Sequence, residues 1–432
     1  MSADGTPRTM TAKALAAHGV QDLTPGAFAL ARVDRILVND VSGAVAVREF
    51  RRMGAERVFD PAAVACIADH FWPAKDARSA EHVGGLRRFA NEQGIDDYYE
   101  TGSTRAAGIE HAVLAEEGRV LPGSLLVGGD SHTCTAGALG ALAIGVGSTD
   151  LAAAMALGEL WLRVPETHLV RFDGALGPHL TGKDLILAAI GRIGVDGAAY
   201  AALEFAGDAV AALDVDGRMA LCNMAVEAGA KSGMVAADET TLAWLRPRVA
   251  APEALAPFGP DAGAVYDREV VLDVDGMAPL VALPPSPGNV RPVDELPEPV
   301  RVDQVYVGNC ANGTISDLRQ LARVLEGRTV ARGVRLIVVP ATQEVHRQAV
   351  HEGLVEQLTE AGAMISPPTC GACFGGHMGV LAAGETAVAT TNRNFRGRMG
   401  HRDSRVYLAN AWVAGAAAVA GELVDPAEVV GR

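Results

Sequence analysis

Apolar runs with strand spacing alternate with runs of helical spacing through the last third of the chain. Residues 302–307 alternate as in a strand, whereas Leu318, Leu321 and Leu325 repeat at the intervals of one helix face. The pattern predicts strands over 302–307, 334–339, 363–365 and 387–390, with helices over 315–325 and 344–358. Strands that alternate with helices favour a parallel sheet with covering helices.

The first two thirds of the chain show the same two patterns with more alanine and glycine. Helices are predicted over 10–18 (with Thr9 as N-cap), 136–144 and 185–193, and from near Asp150, and strands over 124–127 and 169–172. Six prolines within 282–300 predict a linker, and Pro165 marks a weaker boundary. We predict an α/β fold of three α/β/α domains with mostly parallel sheets, covering residues 1–165, 166–285 and 286–432.

The composition excludes several classes of protein. Of the 432 residues, 49% are hydrophobic and 21% are charged, which is typical of a globular protein with a large core. The formal net charge of −15 argues against a nucleic-acid partner. No apolar run reaches the roughly 18 residues of a membrane span, and residues 1–10 lack a signal core. We therefore predict a cytoplasmic protein that binds neither nucleic acid nor a membrane.

Three cysteines in the last third are candidate metal ligands. Cys310 follows the predicted strand 302–307, and Cys370 and Cys373 form a C-x-x-C pair after the strand 363–365. Open α/β sheets bind ligands beyond the carboxyl ends of their strands, so the three thiols can share one site. Three thiolates can hold a cubane iron–sulfur cluster and leave one iron open for chemistry. A zinc site and a redox dithiol remain alternatives. We interpret the other cysteines as packing residues: Cys66, Cys134 and Cys222.

Histidines stand beside or near carboxylates at three places in the first third. These places are Asp69-His70, His111 after Glu110, and Asp130-Ser131-His132. A carboxylate beside an imidazole fixes its tautomer and raises its basicity, which suits acid–base catalysis. The simpler interpretation of the third place alone is a polar turn capped by Asp130 or Ser131. Three such places together with a candidate metal favour the catalytic interpretation.

A basic segment near the end of the chain is a candidate substrate site. It contains Asn392, Arg393 and Arg398 and follows a predicted strand. Guanidinium groups bind carboxylates bidentately, so these arginines suit a di- or tricarboxylate, although a solvated basic loop is the alternative. Asn223 and Glu227 are four residues apart and share one face if their segment is helical. Alone, that pair indicates only a surface or capping pair.

These motifs, in this order, resemble the aconitase superfamily, and most closely the large subunits of 3-isopropylmalate dehydratase and homoaconitase. The resemblance covers residues 10–421, nearly the whole chain. Its most specific parts are Asp69-His70, Gly129-Asp130-Ser131-His132-Thr133, Cys222-Asn223-Met224, 308–318 around Cys310, Cys370 to Cys373, and 392–398.

The resemblance implies one [4Fe–4S] cluster per subunit, held by Cys310, Cys370 and Cys373 in a central cleft between the three domains. It also implies which residues face the cluster: Asp69, His70, His111, Asp130, Ser131, His132, Asn223 and Glu227. Three further residues match the family's substrate-binding positions, namely Asn392, Arg393 and Arg398. The implied reaction dehydrates a small 2-hydroxy acid and rehydrates it with the hydroxyl on the neighbouring carbon. His70, supported by Asp69, protonates the departing hydroxyl.

One part of the superfamily pattern does not occur in this sequence. The mobile swivel domain carries a Gly-Ser-Ser-Arg-type loop with the serine base, and no such motif is found here. In two-subunit members that domain is a separate small protein. We therefore expect a small subunit as partner and expect this chain alone to be inactive.

Two departures from the family pattern leave the substrate open. Gly-Ser-Cys-Thr-Asn-Gly is replaced by Gly308-Asn309-Cys310-Ala311-Asn312-Gly313, and the segment 39–44 lacks a glutamine that many members have. The expected activity is that of 3-isopropylmalate dehydratase, with homoaconitase or another hydroxy-acid dehydratase as the alternative. A non-catalytic alternative is an iron sensor that binds RNA when its cluster is lost.

Overall fold

The computed structural model describes residues 6–102 and 106–431, and its strands form three large sheets and one small ribbon. The first region contains α1 (Met10–Ala17), β1 (Phe28–Arg32), β2 (Arg35–Asn39), α2 (Ser42–Arg52), β3 (Val64–Ala68), α3 (Ala77–Gln93), β4 (Tyr98–Glu100), α4 (Glu110–Glu116), β5 (Leu125–Gly128), β6 (Leu142–Gly145), α5 (Ser148–Leu157) and β7 (Glu159–Arg163). Its main sheet is parallel throughout, in the order β4-β3-β2-β5-β6. Strands β1 and β7 form a separate antiparallel ribbon. The Thr9 hydroxyl accepts a hydrogen bond from the Ala12 amide, which confirms the predicted N-cap of α1.

The second region forms a smaller parallel sheet. Its elements are β8 (Thr167–Asp173), α6 (Gly182–Ile193), β9 (Ala202–Ala206), α7 (Asp208–Ala211), α8 (Val215–Asn223), β10 (Ser232–Val235), α9 (Glu239–Leu245) and β11 (Arg268–Asp273). The strand order is β10-β9-β8-β11. Thr181 and Asp184 form a capping box that begins α6.

The third region carries the largest sheet. Its elements are β12 (Leu280–Ala282), β13 (Val290–Pro292), β14 (Gln304–Gly308), α10 (Ile315–Leu325), β15 (Arg335–Val339), α11 (Gln343–His351), α12 (Leu354–Glu360), β16 (Ala363–Ile365), β17 (Thr386–Ala389), β18 (Arg405–Leu408), α13 (Ala411–Ala420) and α14 (Pro426–Val430). The strand order is β13-β12-β18-β17-β14-β15-β16, and only the pairings of β12 are antiparallel. Leu318, Leu321 and Leu325 are buried, as their spacing predicted.

These sheets confirm the α/β class with mostly parallel strands. The division into three units at residues 165 and 285 stays a prediction, and β12 and β13 lie on either side of the second boundary. Across the two described ranges, no helix has the length and apolar character that a membrane span requires.

Three of the predicted elements differ in the structure. The expected helix over 136–144 is a 3-10 helix, Ser131–Leu139, followed by β6, because Gly140 adopts φ +78° and ends the helix. The expected helix over 344–358 is split into α11 and α12 by Gly353, at φ +76°. The proline-rich segment is not a plain linker, because β13 lies within it as an edge strand that tolerates Pro292.

The carboxyl ends of the first and third sheets lie against each other. The Ile109 amide donates to the Ala341 carbonyl at 2.8 Å, and the Gln343 amide donates to the Ala107 carbonyl at 2.8 Å. Gly108 lies between these bonds at φ +143°, and a Cβ there would approach the Ala341 carbonyl oxygen to 2.5 Å. Only glycine therefore fits at this contact. It joins the segment before His111 to the end of β15.

Candidate active site

The thiols of Cys310, Cys370 and Cys373 converge where the two sheets meet. Cys310 lies two residues beyond β14, and the C-x-x-C pair lies beyond β16, around the 3-10 turn Gly371–Phe374. A hydrogen bond between the paired thiols, together with burial, holds the pKa of Cys370 well above its usual value. The same hydrogen bond holds the pKa of Cys373 well below its usual value. Burial and the neighbouring Cys373 raise the pKa of Cys310.

Side-chain amides surround the sulfur of Cys310. The Asn223 Nδ2 donates to Cys310 Sγ at 3.1 Å, and the Asn392 Nδ2 approaches it at 3.6 Å. Both asparagines are buried, so water does not compete for these contacts. N–H groups directed at sulfur stabilise a thiolate, and they place Asn223 and Asn392 beside the cysteines.

Asn309 ties the two cysteine segments together. Its Oδ1 accepts hydrogen bonds from the amides of Ala311 and Asn312, each at 2.9 Å. Its Nδ2 donates to Asn392 Oδ1 and lies 4.0 Å from Cys373 Sγ. The backbone of Asn309 has φ +124°, a region that favours glycine, so these bonds hold a strained conformation.

We expect Asn309→Ala to lower the free energy of unfolding of the cluster-free protein by about 1–3 kcal/mol, because buried polar partners lose their bonds. Urea unfolding followed by circular dichroism measures the change. Asn309→Ser is the matched control, since a hydroxyl can still accept an amide hydrogen bond, and its loss should be smaller. An alanine variant as stable as the parent protein would contradict this role.

Asp69 and His70 form a buried pair at the end of β3. His70 Nδ1 lies 2.6 Å from Asp69 Oδ1, and the other oxygen of Asp69 accepts the Glu110 amide at 2.9 Å. Burial disfavours the imidazolium, but the carboxylates of Asp69, Glu110 and Asp40 outweigh it and hold the pKa of His70 well above its usual value. His70 is therefore suited to donate a proton from Nε2 at neutral pH.

The backbone links this pair to the cysteines. The Cys370 amide donates to the Asp69 carbonyl at 2.9 Å, and the Thr369 hydroxyl donates to the same oxygen at 3.0 Å. The ring of Phe374 packs edge-on against His70, with centroids 5.1 Å apart. The imidazole and the C-x-x-C turn therefore occupy one wall of the site.

Asp130 connects the two other predicted histidines. Its Oδ1 lies 3.0 Å from His111 Nε2 and accepts the His132 amide at 2.7 Å. Burial alone would raise the pKa of Asp130. The hydrogen bonds with His111 and His132 outweigh burial and hold this pKa well below its usual value. Asp130 Oδ2 is also 3.9 Å from His70 Nε2. All three histidines thus meet around one carboxylate.

Arg393 closes the opposite wall with Glu227, His132 and Ser131. Arg393 Nε donates to Glu227 Oε1 at 2.6 Å, and its Nη2 donates to Ser131 Oγ at 3.1 Å. Glu227 Oε1 is also 3.1 Å from His132 Nε2. Burial raises the pKa of Glu227, but His132 and Arg393 outweigh it, so this pKa lies below its usual value. Burial lowers the pKa of His132, but Asp130 and Glu227 reverse that effect and raise it.

Arg398 carries a guanidinium group that faces the cysteines. It acts electrostatically on Cys373, and its buried Nε has no hydrogen-bond acceptor among the described residues. A buried donor without an acceptor is costly unless a ligand supplies one. The group is therefore suited to a carboxylate ligand.

The structure brings all fourteen predicted site residues together, and their roles stay predictions. Two buried acids at the same site were not identified from the sequence, namely Asp40 and Glu110. Asp40 accepts the amides of His70 and Phe71 at 3.0 and 2.7 Å. Asp40 directly follows β2 as Asp69 directly follows β3, so its position at the carboxyl end of a strand could have identified it as a site residue. Burial and the charges of Asp69 and Asp130 raise the pKa of Glu110 well above its usual value. The sequence indicated Glu110 only as the carboxylate before His111.

The donor set fits a metal–sulfur group. The three thiols act on one another electrostatically, side-chain N–H groups point at Cys310 Sγ, and the buried Nε of Arg398, which acts on Cys373, lacks an acceptor among the described residues. The remaining cysteines are buried thiols, as predicted, and burial raises the pKa of Cys66 and Cys134 to about 12. Such thiols are inert, so they are poor candidates for a fourth ligand.

Residues 12–421 match the model of the aconitase family (aconitate hydratase), and the chain belongs to this family. The resemblance inferred from the motifs is therefore confirmed. Among its relatives, a "3-isopropylmalate dehydratase large subunit 2" of Rubrobacter xylanophilus is 54% identical over 424 residues, 98% of each chain. The large subunit of 3-isopropylmalate dehydratase from Moorella thermoacetica is 52% identical over 98% of this chain and 99% of its own. The corresponding subunit of Nitratidesulfovibrio vulgaris is 53% identical over 97% and 99%.

The solved structure titled Thermococcus kodakaraensis aconitase X (holo-form) is a remote likeness. It covers 89% of both chains at 14% identity, with a TM-score of 0.46.

Proposed function

We propose that this chain is the large subunit of a 3-isopropylmalate dehydratase, a hydro-lyase that moves a hydroxyl group between neighbouring carbons. The observation that carries the proposal is the convergence of three cysteine thiols with three histidines and two arginines, in a chain about half identical to such subunits.

A [4Fe–4S] cluster is the cofactor that this site suits best. Cys310, Cys370 and Cys373 would hold it, with side-chain amides of Asn223 and Asn392 next to Cys310. When bound, the cluster supplies a Lewis-acidic iron that polarises the C–OH bond of the substrate. Thiolate ligands need a reducing compartment, which supports a cytoplasmic location.

The arginines bind the substrate carboxylates, and a histidine transfers the proton. Arg398 offers its unpartnered Nε to a substrate carboxylate, and Arg393 orients a second one beside Ser131. Protonated His70 donates the Nε2 proton to the departing hydroxyl, which leaves as water. Asp69 holds the ring by Nδ1, so that Nε2 faces the reacting group. Asp130 keeps His111 and His132 in place along the cleft.

The base that removes the proton from the neighbouring carbon is expected on a small subunit. The relatives are named large subunits, which supports a second protein, and this chain itself offers acids and carboxylate-binding groups at the site. We propose that the small subunit brings the serine base and closes the cleft.

We expect turnover only when both subunits are present. The chain is reconstituted anaerobically with iron and sulfide, with and without the small subunit, and assayed by absorbance of the unsaturated intermediate. Isopropylmalate should react, whereas homocitrate, citrate and citramalate should not. Full turnover by this chain alone would refute the need for a partner. Turnover of homocitrate instead would reassign the substrate, and no turnover of any acid would overturn the enzymatic proposal.

A further inference from the structure

Lys183, the second residue of α6, is fully buried beneath the candidate site. Its Nζ donates to the Thr390 carbonyl at 3.0 Å and to the Thr391 carbonyl at 2.6 Å. No carboxylate forms an ion pair with it among residues 6–102 and 106–431. A buried charge without a counter-ion is strongly unfavourable, so the surroundings must supply negative charge when the protein is assembled.

The carbonyls that Lys183 holds belong to the segment that leads to Asn392 and Arg393. The Thr390 hydroxyl accepts the Gly308 amide at 2.9 Å and lies 3.2 Å from the Asn312 carbonyl oxygen. Thr390 therefore touches both ends of the loop that carries Cys310. The side chain of Asn392, two residues after Thr390, approaches Cys310 Sγ. One ammonium group thus supports both the cysteine loop and the predicted substrate-binding segment.

The groups that act electrostatically on Lys183 are Cys373, Asp317, Cys310 and Asp184. Asp317 and Asp184 are already engaged as the N3 residues of two capping boxes. Burial lowers the pKa of Lys183 to about 8, so the ammonium form still predominates at neutral pH. The thiolates of a loaded site would add negative charge to that of these two carboxylates.

We propose that Lys183 is a positioning residue that clamps residues 390–393 against the Cys310 loop and compensates part of the negative charge of the bound cluster. The charge half rests on the proposed cofactor, whereas the clamping half does not. The hydrogen bonds of Lys183 Nζ go to the backbone carbonyls of Thr390 and Thr391 rather than to a cysteine, so its effect is indirect.

Three substitutions separate the two halves. Lys183→Met removes charge and hydrogen bonds, Lys183→Gln keeps a donor without charge, and Lys183→Arg keeps the charge with altered geometry. Lys231→Met is the matched control, because Lys231 Nζ also donates to a backbone carbonyl, that of Gly145, and no cysteine is among the groups that shift its pKa.

Cluster stability and potential test the charge half. We expect the methionine variant to lose its cluster absorbance to a chelator about 10-fold faster, the lower end for residues that support metal ligands. Both neutral variants should have a more negative cluster reduction potential, read by electron paramagnetic resonance, while the arginine variant should stay near the parent protein. Unchanged loss rate and potential in both neutral variants overturn the charge half.

Hydrogen exchange in the cluster-free protein tests the clamping half. Amides of 308–312 and 390–394 should exchange faster in the methionine variant and recover in the glutamine variant. Equal exchange in the methionine variant and the parent protein overturns clamping. If the methionine variant does not fold, the reduction potential is compared in the glutamine variant. Hydrogen exchange is then compared in the arginine variant. If the parent protein takes up no cluster, the cofactor proposal fails, and the exchange result still decides the clamping.

Discussion

Cys310→Ala protein, reconstituted anaerobically with iron and sulfide, is expected to retain no stable cluster. Cys310 is one of the three proposed sulfur ligands, and the side-chain amides of Asn223 and Asn392 lie 3.1 and 3.6 Å from its Sγ. Loss of the Lewis acid removes several kcal/mol of transition-state stabilisation, on the order of a 10³-fold fall in kcat. Iron and sulfide content, visible absorbance and kcat measured with the small subunit test this result.

Cys66→Ala is the matched control. Cys66 is buried in β3, and its pKa of about 12 marks an unreactive thiol, so its loss should leave iron content and kcat unchanged. If both variants retain the same iron, the assignment of Cys310 as a ligand is wrong. If both lose iron, the effect is one of folding, and Cys370→Ala and Cys373→Ala must be compared by thermal unfolding.

Asp69→Asn is expected to lower kcat by about 10²–10⁴-fold with a small change in KM. The side chain keeps its size, but it no longer stabilises the imidazolium and can select the wrong tautomer of His70 through the 2.6 Å contact. The effect falls on kcat because the proton transfer occurs in the chemical step rather than in binding. Steady-state kinetics with isopropylmalate measures it.

The pH dependence of kcat is also expected to change in the Asp69→Asn variant. His70 must be protonated to act, and its raised pKa keeps it so through neutral pH. Activity is therefore retained below that raised pKa and is lost as the pH rises through it. Without the Asp69 charge, burial favours the neutral ring, so the alkaline limb should move to lower pH. An unshifted alkaline limb would assign it to another group.

A second histidine–aspartate pair provides the control for that substitution. His18 Nε2, directly after α1, lies 2.6 Å from Asp34 Oδ2 in the turn between β1 and β2, which is the same separation. Asp34→Asn should leave kcat, KM and the pH profile unchanged. A similar loss of kcat in this variant would mean that the Asp69 effect reflects general disruption of the fold.

The last third of the fold was predictable because its residues obey two separate periodicities. Leu318, Leu321 and Leu325 define a helix face that the structure buries, and the alternating run before Cys310 is β14. The run at 136–144 was misassigned because short apolar stretches of small residues fit helix and strand alike. Gly140, in a left-handed conformation, decides between them in the structure.

The site was predictable wherever its residues follow strands or stand in family motifs. Asp69, Asp130 and Cys310 all lie just beyond strand ends, where parallel sheets place their ligands. Lys183 was not predictable, since a lysine in the first turn of an apolar helix usually reaches solvent. Its burial depends on the Thr390 and Thr391 carbonyls, more than two hundred residues away.

The paired amide–carbonyl bonds on either side of Gly108 bear on how substrate enters. They join the segment before His111 to the segment after β15, so two backbone hydrogen bonds hold the first and third sheets together at this edge of the site. If the proposed small subunit covers the cleft, substrate and water would enter and leave on the side where that subunit binds. We then expect dissociation or movement of the small subunit to set the rate of product release.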